Sequence, residues 1–164
     1  MTVNVKKVIQ MSPFLWRTEK DGSHVLKRTT TLCMDICHGG LDMTAKVLFC
    51  GESTDGRGFR CDGLSVPRLF RWFLPSWDEK NTLYNVSGAL HDWLYTTKGN
   101  FGMFKREECD DFFRGLLRES GIGRFKAGCA DKGVEWFAGG DAHWGADQYK
   151  VSTLCRMEIF RCLL

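Results

Sequence analysis

Phe59-Arg60-Cys61-Asp62-Gly63-Leu64-Ser65-Val66-Pro67 closes one kind of chain, and Ala89-Leu90-His91-Asp92-Trp93-Leu94-Tyr95 belongs to another. Before this stretch the sequence reads as strands and turns. After it, apolar residues recur at helical spacing. Strands first and helices afterwards argue for an α+β fold. The expectation is a single domain: an N-terminal antiparallel sheet followed by about three helices. Residues 1–60 form the strand-rich part, 61–145 the helical part and 146–164 a C-terminal element of open type.

Working back from the switch, Val3, Val5, Val8 and Ile9 predict a first strand. Phe14 to Thr18 and His24 to Leu32 flank Asp21-Gly22, a hairpin signal. β-branching at Val25, Thr29, Thr30 and Thr31 favours strand there. Gly39-Gly40 and Asp55-Gly56 mark turns, with a short apolar strand between them from Ala45 to Cys50. Four or five strands are expected.

Working forward, Leu69, Phe70, Trp72, Phe73 and Leu74 make an apolar knot ended by Pro75. Ser76 or Asn81 can cap a helix that runs to about Thr96. Leu83, Val86, Ala89, Leu90, Trp93 and Leu94 give it an apolar face. Lys98 to Gly102 reads as a loop. A second helix spans about Lys105 to Ser120, stopped by Gly121. Arg106 can pair with Asp110, and Asp110 with Arg114, at four-residue spacing. A third helix is expected over about Arg124 to Ala138.

Composition narrows the function classes. The 164 residues include 43% hydrophobic and 26% charged residues, ordinary for a globular domain. A net charge of +3, with Arg68-x-x-Arg71 the nearest thing to a basic cluster, argues against nucleic acid. No run approaches the roughly 20 apolar residues of a membrane span. Met1 to Trp16 lacks an unbroken apolar core, so no secretory leader is expected and synthesis in a cytoplasm is.

Eight cysteines stand against that plain picture: Cys33, Cys37, Cys50, Cys61, Cys109, Cys129, Cys155 and Cys162. Reduced buried thiols are the usual cytosolic reading, and disulfides are the rival; spacing does not give a connectivity. Cys33-x-x-x-Cys37-His38 has tolerable zinc spacing, but no second close pair completes a site.

The candidate chemistry centres on His91. It shares a helix face with Tyr95, four residues on, and could serve as a general base or a metal ligand. Adjacent helical residues point about 100° apart, so Asp92 does not orient His91. Asp62 or Asp110 would have to. Asp62 is also a candidate ligand for a divalent metal shared with His91. The plain alternative is a buried histidine satisfied by backbone. Ser65 lacks the Gly-x-Ser-x-Gly elbow of a nucleophilic serine, and Cys109 has no base nearby in sequence.

Taken together, Gly58-Phe59…Asp62-Gly63-x-Ser65-Val66-Pro67-x-Leu69-Phe70, Ala89-Leu90-His91-Asp92-x-Leu94-Tyr95, Arg106-x-x-x-Asp110-x-x-Phe113 and Phe137-x-Gly139…Trp144 resemble the family called domain of unknown function 1353. That family occurs mainly in tailed bacteriophages and prophages and has no settled activity. The shared residues here are Asp62, Ser65, Pro67, His91, Asp92, Tyr95, Arg106 and Asp110. The resemblance implies phage origin; beside it, the high aromatic content and the many cysteines favour a virion structural component of neck, tail or baseplate over an enzyme. It would be made in the host cytoplasm and assembled with other phage proteins into an oligomer that disulfides could lock. His-Asp-x-x-Tyr followed by a helix bearing Asp is also similar to the core of secreted phospholipases A2. Carried over, His91 would activate water, Asp92 would bind calcium, and Asp110 or Asp111 would orient His91. The Gly-rich calcium loop and the bracing cysteines of that family are missing. This second similarity implies a small metal- or His/Asp-dependent hydrolase acting on the host envelope or on lipid.

Overall fold

The computed structural model describes residues 1–64, 74–124, 126–128, 144–147 and 149–161. Alternation in the first segment produces β1 (Val3–Met11), whose Val3 and Val5 point inward. It pairs antiparallel with β4 (Thr30–His38), which pairs with β5 (Leu41–Phe49) through the Gly39-Gly40 turn. Both turn glycines have positive φ. β7 (Cys155–Arg161) completes a four-stranded sheet in the order β1-β4-β5-β7. The Asp21-Gly22 hairpin joins β2 (Trp16–Thr18) to β3 (His24–Leu26), and with β6 (Arg60–Cys61) they form a second, three-stranded sheet.

Two sheets replace the one expected, and His24 to Leu32 is not a single strand. The chain leaves the small sheet after Leu26 and enters the large one at Thr30. Gly51 allows this crossing, since a Cβ there would lie 2.2 Å from the Arg28 carbonyl carbon. The strand expected from Ala45 begins at Leu41, and the open C-terminal element is β7, held by its register against β5.

The sheet's inner face (Leu32, Met34, Ile36, Ala45, Val47, Phe49 and Met157) is covered by helices. Asn81 caps α1 (Thr82–Thr96), its side-chain oxygen accepting from the Tyr84 N–H at 3.1 Å. Val86, Ala89, Leu90, Trp93 and Leu94 of α1 are buried as the spacing predicts. α3 (Arg106–Glu119) packs on both α1 and β1, where Gly115 lets it close on Val5. Its end is a Schellman turn: Gly121 donates to Arg118 and Ile122 to Leu117.

Between these helices the expected loop is instead α2 (Lys98–Gly102), one turn in which Gly99, Asn100 and Phe101 all have positive φ. Residues 124 and 126–128 are helical. The rest of the expected third helix, most of the apolar knot, Ser65 and Pro67 lie outside the described residues. No helix among the described residues is long and apolar enough to cross a membrane.

Candidate functional site

α1 and α3 lie side by side, and this contact builds the site. His91 is 6% exposed on α1. Its Nε2 lies 3.0 Å from Oδ1 of Asp110 on α3. Tyr95, one turn beyond His91, donates its hydroxyl to the same Oδ1 at 2.7 Å. Arg106 Nε donates in turn to the Tyr95 hydroxyl oxygen at 3.2 Å, and its guanidinium lies over the Tyr95 ring. Phe113, one turn past Asp110, lies against the imidazole with ring centres 4.8 Å apart, and Tyr95 packs beside it at 4.2 Å. Trp144 meets Tyr95 edge-on at 5.2 Å.

Electrostatics fix the protons. Burial pushes Asp110 up, but the hydrogen bond and charge of His91, the Tyr95 hydroxyl and the Arg106 charge outweigh it, so its carboxyl is held below 3.8. Asp110 is therefore ionised at neutral pH and accepts from both neighbours. A neutral His91 must then carry its proton on Nε2, leaving the Nδ1 lone pair open. Burial pulls His91 down, but the Asp110 hydrogen bond and the nearby charges of Asp92 and Asp110 prevail and raise it above 6.5. Burial pushes the Tyr95 hydroxyl well up, so it remains a donor. Nδ1 faces Asp92, whose Oδ1 is 3.9 Å away and whose side chain is 32% exposed. The imidazole thus has one end locked in the protein and the other beside a carboxylate that reaches solvent.

Of the three residues expected to orient His91, Asp62, Asp110 and Asp111, the structure places Asp110 on it. The carboxylates acting on His91 among the described residues are Asp110 and Asp92. Asp62 is exposed just beyond β6, where its charge acts on His24 and Tyr149. Asp111 turns the other way and accepts from the Val3 N–H at 2.9 Å and from Arg114. Arg114 therefore meets Asp111, three residues back, in place of the expected Asp110.

Metal and thiol chemistry find less support. Among the described residues, no three His, Cys, Asp or Glu side chains are grouped to hold a metal ion. A cation at Asp92, as the phospholipase similarity implies, would have to draw its other ligands from elsewhere. Cys33, Cys37, Cys50, Cys61, Cys109 and Cys155 are free thiols, so no disulfide forms among the described cysteines; Cys129 and Cys162 lie outside them. Burial pushes the Cys61, Cys109 and Cys155 thiols far up, which makes them poor nucleophiles.

A second histidine–carboxylate pair was not foreseen. His38, at the end of β4, binds Oε1 of Glu108 at 2.8 Å, while Oε2 accepts from the Lys105 N–H at 2.8 Å. The only sequence signal for it was a Glu at the third position of α3, where capping boxes place one.

A family model described as "Protein of unknown function (DUF1353)" matches residues 50–134, just over half of the chain. His91, Asp92, Tyr95, Arg106, Asp110 and Phe113 all fall inside that span; Trp144 falls beyond it. No curated protein and no solved structure matches.

Proposed function

The chain belongs to this family of proteins of unknown function, and from the geometry of the His91 network we propose that it is a His/Asp-dependent hydrolase. The bond that carries the reading is His91 Nε2 to Asp110 Oδ1 at 3.0 Å, with Tyr95 on the same oxygen. It fixes the tautomer whose free Nδ1 can remove a proton from water. The resulting hydroxide attacks the carbonyl carbon of an ester or amide. When the tetrahedral intermediate collapses, the C–O or C–N bond breaks and the proton on Nδ1 passes to the leaving group. Asp92, 3.9 Å from Nδ1, favours the imidazolium formed in between. Asp110 and Tyr95 orient His91 without touching substrate; His91 alone is the catalytic base.

Substrates drawn from a cell envelope or a lipid fit the phospholipase-like arrangement. The test is release of free fatty acid from phospholipid vesicles, and of free amine or carboxylate from envelope preparations, by purified protein. His91→Ala and Asp110→Asn serve as controls. Release by wild type that both substitutions suppress supports the reading. A wild-type chain inert on both, yet recovered at fixed stoichiometry from purified phage particles, would overturn it in favour of a virion structural role.

A further inference from the structure

We propose that the turn from Lys98 to Met103 is a docking surface for an anionic lipid bilayer. Four consecutive residues, Lys98, Gly99, Asn100 and Phe101, have φ of 51°, 74°, 54° and 59°. L-residues pay for that conformation one at a time and almost never adopt it in succession. Here the surroundings enforce it. Phe101 N–H donates to the Thr97 carbonyl at 2.8 Å, and Phe104 N–H donates to that of Gly99 at 2.8 Å. The Thr97 hydroxyl accepts from the Asn100 N–H at 3.1 Å, and the Asn100 amide reaches the Met157 carbonyl on β7 at 3.4 Å. Gly99 is indispensable, since a Cβ there would fall 1.8 Å from the Phe104 carbonyl oxygen.

The turn separates neighbouring apolar residues. Phe104 goes into the core at 3% exposure, whereas Phe101 and Met103 are held out at 72% and 53%. After Met1 they are the most exposed large apolar side chains among the described residues. A strained backbone that keeps Phe and Met in water has no stability rationale and points to a partner. Lys98 and Lys105 are exposed on either side, against one exposed carboxylate on the same stretch, Glu107. An apolar tip two side chains wide is too small for a stable protein interface but suits shallow insertion at headgroup depth, with the ammonium groups against anionic lipid. With no membrane-crossing helix among the described residues, the contact is peripheral. The turn joins the helix ends carrying Tyr95 and Arg106, which sets the His91 network next to the bilayer; the docking itself does not depend on chemistry at His91.

Co-sedimentation with vesicles tests this, using phosphatidylcholine alone and phosphatidylcholine mixed with phosphatidylglycerol. Wild type should bind the anionic vesicles at least about tenfold more tightly than the zwitterionic ones. Phe101→Ser with Met103→Ser should weaken anionic binding at least about tenfold while the protein still unfolds cooperatively within a few degrees of wild type, because both side chains are mostly exposed and lose only an edge contact with Trp93 and a weak Asn100–Met103 hydrogen bond. Lys98→Glu with Lys105→Glu should erase the preference for anionic vesicles. His91→Ala, inactive as a hydrolase under the reading above, should bind as wild type does. Absence of vesicle binding by wild type overturns the proposal, as does unchanged binding by the double-serine variant.

Discussion

Two histidine–carboxylate pairs hang from α3, two residues apart, and they are built to different ends. In His38–Glu108 both carboxylate oxygens are spent, one on the imidazole and one on the N–H that starts the helix. The pair is a closed clasp between β4 and α3. In His91–Asp110 a single oxygen, Oδ1, takes both the imidazole and the Tyr95 hydroxyl, and the far nitrogen faces a carboxylate that is one-third exposed. A clasp needs every donor and acceptor satisfied. A base needs one nitrogen fixed and the other free. The difference separates structure from chemistry more sharply than burial does, because Glu108 and His91 are both under 10% exposed.

The largest effect should appear in activity. His91→Ala or Asp110→Asn should lower kcat/KM by about 100- to 10,000-fold, the range for a lost or misoriented general base. His38→Ala and Glu108→Gln should leave it within a few-fold of wild type. Equal losses from both pairs would mean that His38–Glu108 is no mere clasp.

Stability should order them the other way. Glu108→Ala removes a helix cap and a buried hydrogen bond together and should cost about 2–3 kcal/mol by urea unfolding. A cost below about 0.5 kcal/mol, the level of an ordinary surface change, would deny it the role of clasp.

The pH profiles should also divide. His91 is raised above 6.5, so the folded state holds its proton more tightly than the unfolded state. Its contribution is complete below 6.5 and is lost as pH rises through the folded value. Glu108 feels burial pushing it up, but the Lys105 N–H and His38 hold it below 4.5. Asp110 is likewise held below 3.8. Their contributions are present above those ordinary values and are lost as pH falls through the folded ones. Unfolding measured from acid to alkaline pH should therefore lose, in His91→Gln, the fall in stability that sets in as pH rises past 6.5, whereas Glu108→Gln should weaken only the acid slope. Activity, which needs neutral His91, should rise with pH above 6.5.

The smallest effect belongs to Tyr95→Phe. Losing the hydroxyl's hydrogen bonds to Asp110 and from Arg106 should cost about 1–2 kcal/mol and move the pH–activity limb up by less than about one pH unit, because Asp110 then attracts the His91 proton more strongly. A larger loss would make Tyr95 a participant in the reaction.

Much of the fold was legible because its signals are local. The Val3/Val5 alternation, the Asp21-Gly22 hairpin, the Asn81 cap and the Gly121 stop each act within a few residues. The break after Leu26 and the partner of Cys155–Arg161 were not legible, since both depend on contacts from distant chain, Gly51 under Arg28 and β5 beside β7. The left-handed turn at Lys98 was hidden because Gly99, Asn100 and Gly102 each permit positive φ singly, while nothing local asks it of Lys98 and Phe101. At the site, His91 and Tyr95 could be paired by helical spacing, but choosing among Asp62, Asp110 and Asp111 required knowing how α1 lies on α3. The spacing rule that paired Asp110 with Arg114 failed because Asp110 faces α1 and Asp111 faces β1.

The most direct test is the tautomer and titration of His91, read from the ring nitrogens by two-dimensional ¹⁵N–¹H NMR, with His91→Gln to assign the signals and Asp110→Asn for comparison. The expected result is a neutral ring protonated on Nε2, titrating above the ordinary value, with Asp110→Asn lowering that value. A ring protonated on Nδ1, or a titration that Asp110→Asn leaves in place, would contradict it, because the nitrogen assigned to take the proton from water would then be occupied or unsupported.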